Sequence, residues 1–138
     1  MASVTKAVRL DAPIAAVWDA LRDIGALHTR LVPGFVVDTQ VEPDGTARMV
    51  TFGNGVVVRE RILGIDDEEH RVAWTADSDH FAHHNASAQA IAIGPATTKF
   101  VWIADVLPDE AGPFVAAMMD EGLAAARNQF AKAAVSGR

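Results

Sequence analysis

Two short stretches carry side chains that could do chemistry. The first is Val57-Val58-Arg59-Glu60-Arg61-Ile62. Neighbours on a strand point to opposite faces, so Glu60 lies on one side and Arg59 with Arg61 on the other. A charge turned into the interior is costly unless it is paired or hydrogen-bonded. Arg48, on the preceding strand, is the partner that could form a structural ion pair with Glu60. The second stretch is His83-His84-Asn85-Ala86-Ser87-Ala88-Gln89. Alternation groups His83, Asn85, Ser87 and Gln89 on one face, and His84, Ala86, Ala88 and Ala90 on the other. A polar row beside an apolar one usually faces solvent, but it could equally line a pocket. With a pKa near neutrality, His83 is the candidate general acid or base, and Glu60 its orienter or second carboxylate.

Other chemistries are disfavoured. His83 and His84 diverge across their strand and no nearby carboxylate completes a ligand set with His80, so no metal site is expected. Ser87 lacks the glycine-flanked elbow of an activated nucleophile. Cysteine is absent, which excludes disulfides, thiol nucleophiles and thiolate ligands. A net charge of −6, with no basic run, argues against nucleic acid. No apolar run approaches the roughly 20 residues of a membrane helix, and no signal peptide opens the chain. A cytoplasmic protein without cofactor is the expectation, as a monomer or homodimer.

The elements that must position these groups follow from periodicity. The 138 residues, half of them hydrophobic and 22% charged, suit one globular domain spanning 1–138. Ser3–Leu10 alternates and reads as a strand. Asp11 then caps a helix striped by Ile14, Val17, Trp18 and Leu21, and a second short helix over Ala26–Val32 stops at Pro33-Gly34. Strands are predicted over Phe35–Glu42, Thr46–Phe52, Val56–Ile65, His70–Ala76, Ala82–Ile93 and Thr97–Leu107. Asn54-Gly55 marks a tight turn, because both positions tolerate positive φ. The order is β-α-α-β6-α: an α+β fold with an antiparallel seven-strand sheet and one long C-terminal helix.

That helix, Gly112–Val135, places Val115, Met118, Met119, Gly122, Leu123, Ala126 and Phe130 on one face at about 100° per residue. Its rims are bulky and its middle is small. A glycine inside a helix costs about 1 kcal/mol against alanine, so Gly122 marks either a pocket roof or a close packing seam. Trp18 lies on the first helix's stripe as a core residue, whereas the facing of Trp74 and Trp102 stays open.

This order, together with Asp11-Ala12-Pro13 ahead of Val17-Trp18, Gly45-Thr46-Ala47-Arg48, and the run Val58-Arg59-Glu60-Arg61-Ile62-Leu63 leading to Asp66-Asp67-Glu68-Glu69-His70-Arg71, resembles the START/Bet v 1-like superfamily (SRPBCC). The nearest likeness is to its bacterial polyketide cyclase/dehydrase and lipid-transport-like branch, and to the related plant hormone-receptor branch. The resemblance implies a helix-grip fold, a curved sheet around the long helix with an internal cavity. It also implies binding or carrying of a small hydrophobic or aromatic molecule there. An aromatase/cyclase or dehydratase using His83 and Glu60, or a non-catalytic homodimeric interaction protein, are the alternatives. It turns Glu60 inward and places Asn85 and Ser87 in the pocket. It also sets Phe52-Gly53-Asn54-Gly55 and Asp77–Phe81 where the receptor branch has a gate and latch, although ordinary hairpin turns are the simpler reading. Aligned on Phe114-Val115, Gly122 falls at a ligand-contacting position, which favours the roof. The expected wall is Phe35, Trp74, Val101, Met118, Met119 and Gly122, with Arg48, Glu60, His83, Asn85 and Ser87 as polar groups. Leu31 departs from the pattern, since many bacterial members carry Trp there.

Overall fold

Alternating strands joined by tight turns leave little choice but an antiparallel meander. The computed structural model, which describes residues 2–136, has that form. Strands β1 (Ala2–Leu10), β2 (Val36–Val41), β3 (Ala47–Phe52), β4 (Val57–Asp66), β5 (Arg71–Asp77), β6 (His83–Gly94) and β7 (Thr97–Leu107) form one sheet in the order β1-β7-β6-β5-β4-β3-β2. Every pairing is antiparallel. Helix α1 (Ile14–Arg22) follows β1 and α2 (Gly112–Ser136) ends the fold. The expected order and the seven strands are present, with strand ends moved by a residue or so.

Two local expectations need correction. The short second helix is a single π-helical turn, Leu27–Leu31. Helix α1 is capped at Pro13, with no side-chain bond from Asp11, because the chain enters extended at that proline and its fixed φ already suits the first turn. The predicted tight turn forms at Asn54-Gly55, with positive φ at Gly55 and not at Asn54. Gly55 has φ 88°, and Asn54 Oδ1 accepts from Val56 N at 3.0 Å.

The sheet bends where register slips, between Val36 and Asp38, Ile62 and Gly64, and Ala92 and Gly94. Bulges of this kind add twist and curl a sheet around what packs on it. On the concave side α2 lies chiefly against β1 and more lightly against β7, while α1 covers parts of β5, β6 and β7. Val115, Met119, Leu123, Ala126 and Phe130 of α2 are buried, as their spacing required. They meet Leu10, Val106 and Ala104 in a continuous core, and Val17, Trp18 and Leu21 of α1 close its other end. Asp67 ties that end down: its carboxylate accepts from Trp18 Nε1 and from Arg22 Nε, each at 3.0 Å. Both bonds hold the Asp67 carboxyl below its ordinary pKa.

Between β2, β3, β4, β5 and the middle of α2 the packing is incomplete. That gap is the candidate site.

Candidate functional site

The gap begins with strand parity. On β5, Val72, Trp74 and Ala76 face inward; on β7, Phe100 and Trp102 do; on β4, Val58 and Glu60 do. All of these line a cavity of about 90 Å³ beneath α2, which adds Met118 and Gly122. Leu21, Leu27, Leu31 and Val32 close its deep end. Trp74 and Trp102, whose facing the alternation left open, both turn inward, with ring centroids 6.4 Å apart.

Glu60 is inward and paired. Arg48 and Glu60 are register partners on β3 and β4, so their side chains leave the sheet together. Arg48 Nε donates to Glu60 Oε1 at 2.9 Å, and Nη2 lies 2.9 Å from the same oxygen. Arg48 Nη1 donates to the Ile24 carbonyl at 3.2 Å, and the guanidinium carbon sits 5.5 Å from the Trp74 ring centroid. The two side chains are 3% and 9% exposed, so this is a buried ion pair and solvent screens it little. The structural pairing and the cavity-facing position of Glu60 hold together.

On β6 the structure reverses the expected face. His84 and Ala88 line the cavity, and Ala86 and Ala90 are buried beside them. By alternation His83, Asn85 and Ser87 then lie on the convex side, outside the cavity. His83 is exposed, Asn85 is half-buried, and Ser87 is buried. The physical reason is the ordinary one: the apolar row of alanines goes to the core and the polar row away from it. Val101 is likewise outward, between the inward Phe100 and Trp102. Met119 is fully buried in the helix–sheet core but does not reach the cavity. Phe35, Arg48, Glu60, Trp74, Met118 and Gly122 are the expected residues that do line it.

The expectation for Gly122 was roof or seam, and the geometry holds both. A Cβ there would lie 2.6 Å from Trp102 Cζ3 and 3.0 Å from Phe35 Cε2. The glycine borders the cavity, but the space directly beneath it is filled by two aromatic rings.

Two polar atoms on lining residues are buried and lack a hydrogen-bond partner: His84 Nδ1 and Trp102 Nε1. Burial pushes the His84 pKa below its ordinary value, against the opposing pull of the Glu60 charge. The imidazole is therefore neutral near pH 7. Each of these residues lies against an aromatic ring. Phe81 lies against His84 at 5.3 Å between centroids, and Phe35 against Trp102 at 6.3 Å.

Those rings also form a partition. Outside the cavity is a cleft of about 850 Å³, bordered by Gly34, Gly53, Asn54, Ser78, His80 and Phe114. Cavity and cleft share Phe35, Phe52, Val58, Phe81 and Met118 as common wall. The two hairpin loops singled out in the sequence thus flank the mouth. Gly53 is required there, since a Cβ on it would lie 2.5 Å from the Gly34 carbonyl oxygen. Sequence reasoning named Phe52 and Phe81 only within the gate and latch segments, and did not place His84 in the pocket. For His84 the signal was present, because it shares its face with Ala86, Ala88 and Ala90. Among the described residues no three histidine or acidic side chains gather in a way that could hold a metal ion, and no helix is long and apolar enough to cross a membrane.

A family model described as polyketide cyclase/dehydrase and lipid transport matches residues 1–135. No curated protein matches in sequence. Among solved structures, XoxI from Bacillus cereus superposes with a TM-score of 0.83 at 17% identity, covering 94% of this chain and 96% of that one. A START superfamily protein from Mycobacterium smegmatis gives 0.72 at 20% identity, covering 94% and 97%. The Zhui aromatase/cyclase from a Streptomyces species gives 0.78 at 17%, covering 99% and 96%. At these identities the likeness is one of fold, the curved sheet and long helix of the START-like proteins.

Proposed function

The chain belongs to the polyketide cyclase/dehydrase and lipid transport family, and we propose that it binds a small, largely apolar or aromatic molecule between sheet and α2. One observation carries this reading. An apolar cavity is lined by the Arg48–Glu60 pair and by His84 and Trp102, whose Nδ1 and Nε1 are buried without partners. An unpaired buried polar atom costs about 1–3 kcal/mol, a cost that a structural core avoids and a ligand's polar group relieves. The cavity of about 90 Å³ is far below the roughly 300–1,000 Å³ of typical ligand sites. Occupation by anything larger than a single ring requires Phe35 and Phe81 to swing aside and join the cavity to the outer cleft. The test is native mass spectrometry of freshly purified protein, followed by extraction and identification of any co-purified molecule. A bound small molecule whose release lowers the melting temperature supports the reading. Ligand-free protein that neither apolar nor aromatic compounds stabilise refutes it.

A catalytic reading is favoured by one feature. A neutral imidazole beside a carboxylate is the arrangement a general base needs, and the pair is His84 with Glu60, not His83. Aldol cyclisation or dehydration of a poly-β-keto compound would use His84 to take the proton next to a carbonyl. Turnover of such an analogue by the wild type, lost in His84→Phe while binding persists, distinguishes an enzyme from a carrier.

A further inference from the structure

Charge inside the cavity narrows the ligand further. Among the described residues its ionisable lining groups are Arg48, Glu60 and His84. Arg48 directs Nε and Nη2 at Glu60 and Nη1 at the Ile24 carbonyl, so its charge is already matched by a carboxylate. An anionic ligand would find no free cation and would bring a second negative charge beside Glu60 in a medium where burying an unpaired charge is prohibitive. The mouth repeats the bias, because Glu121 borders the outer cleft and the whole chain carries −6.

The unpartnered atoms say what the ligand must offer instead. Indole Nε1–H only donates, so Trp102 needs an acceptor, whereas a neutral imidazole nitrogen either donates or accepts. Both residues line the cavity, and Phe35 and Phe81, which lie against Trp102 and His84, also border the outer cleft. A neutral ligand oxygen held in the cavity would offer the two nitrogens the partner they lack.

We infer that the site selects uncharged ligands bearing a carbonyl or hydroxyl oxygen, bound through Trp102 Nε1–H and His84 Nδ1, and rejects carboxylates such as free fatty or aromatic acids. This rests on the binding reading above and adds a charge rule to it.

Three isosteric single-ring probes separate the terms: acetophenone, which is neutral with an acceptor; benzoate, which is anionic; and cumene, which is neutral without one. Titration at pH 7 is followed on the tryptophan indole N–H signals in ¹H–¹⁵N spectra, with Trp102 assigned from Trp102→Phe. The expected result is that acetophenone binds about tenfold or more tightly than benzoate, and that it moves the Trp102 indole signal downfield whereas cumene does not. In Trp102→Phe the preference for acetophenone over cumene falls about fivefold, the equivalent of one net hydrogen bond. Benzoate binding as tightly as acetophenone overturns the charge rule while leaving the binding reading intact. An unchanged acetophenone-to-cumene preference in Trp102→Phe overturns the assignment of the indole donor. If none of the three binds, the binding reading falls and the charge rule with it.

Discussion

Replacing Glu60 by glutamine probes the most expensive interaction in the molecule. The side chains of Arg48 and Glu60 are 3% and 9% exposed, with two guanidinium nitrogens 2.9 Å from one carboxylate oxygen. At that burial, no large discount for solvent is due. The substitution keeps shape and leaves an acceptor for Arg48 Nε, but it strands the guanidinium's charge in an apolar cavity. Breaking one side of a buried pair costs about 3–5 kcal/mol. The retained hydrogen bond and the Trp74 face, 5.5 Å from the guanidinium carbon, put the value near the lower end. Native stabilities run to about 5–15 kcal/mol, so the variant should fold but be visibly weakened. Arg48→Met should cost a similar amount and also frees the Ile24 carbonyl, which Nη1 holds at 3.2 Å. The double variant Arg48→Met/Glu60→Leu removes both charges and should cost less than either single change. Urea denaturation followed by far-UV circular dichroism measures all three, with an unchanged slope required for the comparison. A Glu60→Gln cost below about 1 kcal/mol, or a double variant whose loss equals the sum of the singles, would refute the buried-pair account.

Gly122→Ala should destabilise by about 1 kcal/mol. The gain in helix propensity is about 1 kcal/mol, and it is outweighed by the cost of overpacking, about 1–3 kcal/mol, from a Cβ 2.6 Å from Trp102 and 3.0 Å from Phe35. Gly64→Ala, with nothing within 4 Å of its Cβ, is the control, and thermal denaturation that shows Gly122→Ala more stable than wild type would contradict the seam. His84 sets a pH window. Its folded pKa is lowered from 6.5 by burial, so the unfolded chain binds the proton first as pH falls. The stability from keeping His84 neutral is present above about 6.5 and is lost as pH drops through the folded value. His84→Phe should remove that slope just below pH 6.5. It should leave intact the acid loss at lower pH, where Glu42, Asp67 and Asp77, each held below its ordinary pKa with the help of an arginine, take up protons. Stability measured across pH 4–7 decides between these outcomes.

The architecture was legible because each of its signals is local. Alternation marks the strands, Asn54-Gly55 marks a turn, and the spacing of Val115, Met119, Leu123, Ala126 and Phe130 marks one face of α2. The inward turn of Glu60 was legible only by resemblance, since alternation separates it from Arg59 and Arg61 without saying which side is inside. On β6 the resemblance led the other way. It pointed to Asn85 and Ser87, and so to the face they share with His83, whereas plain hydrophobic alternation pointed to the face of His84, and the alternation prevailed. Met119 and Val101 were misplaced for a different reason. Helical and strand periodicity say that a side chain is on a face, but not whether the neighbour there is a packed ring or a void. The rings of Phe35, Phe52 and Phe81 come from a loop, a strand end and a turn, and no period brings them to one place.

The same contacts explain why the cavity is small and why it is positioned as it is. Three small residues, Gly122 on α2 with Ala76 and Ala88 on the sheet, leave room that Trp74 and Trp102 largely fill. Those rings lie 6.4 Å apart and do not stack flat, so they cannot close the space completely. Enlarging Gly122 would drive Trp102 into what remains. Removing the Arg48–Glu60 pair would lift the guanidinium from the face of Trp74. The size of the void and its polar end are therefore set by one connected group of residues, and a ligand that inserts must move members of it. Phe35 borders both the cavity and the outer cleft. It follows Pro33-Gly34, where Gly34 has φ 89° and nothing lies near its Cβ position, and its ring touches both Phe52 and Trp102. Motion there would join the cavity to the cleft, because the Phe35 ring borders both.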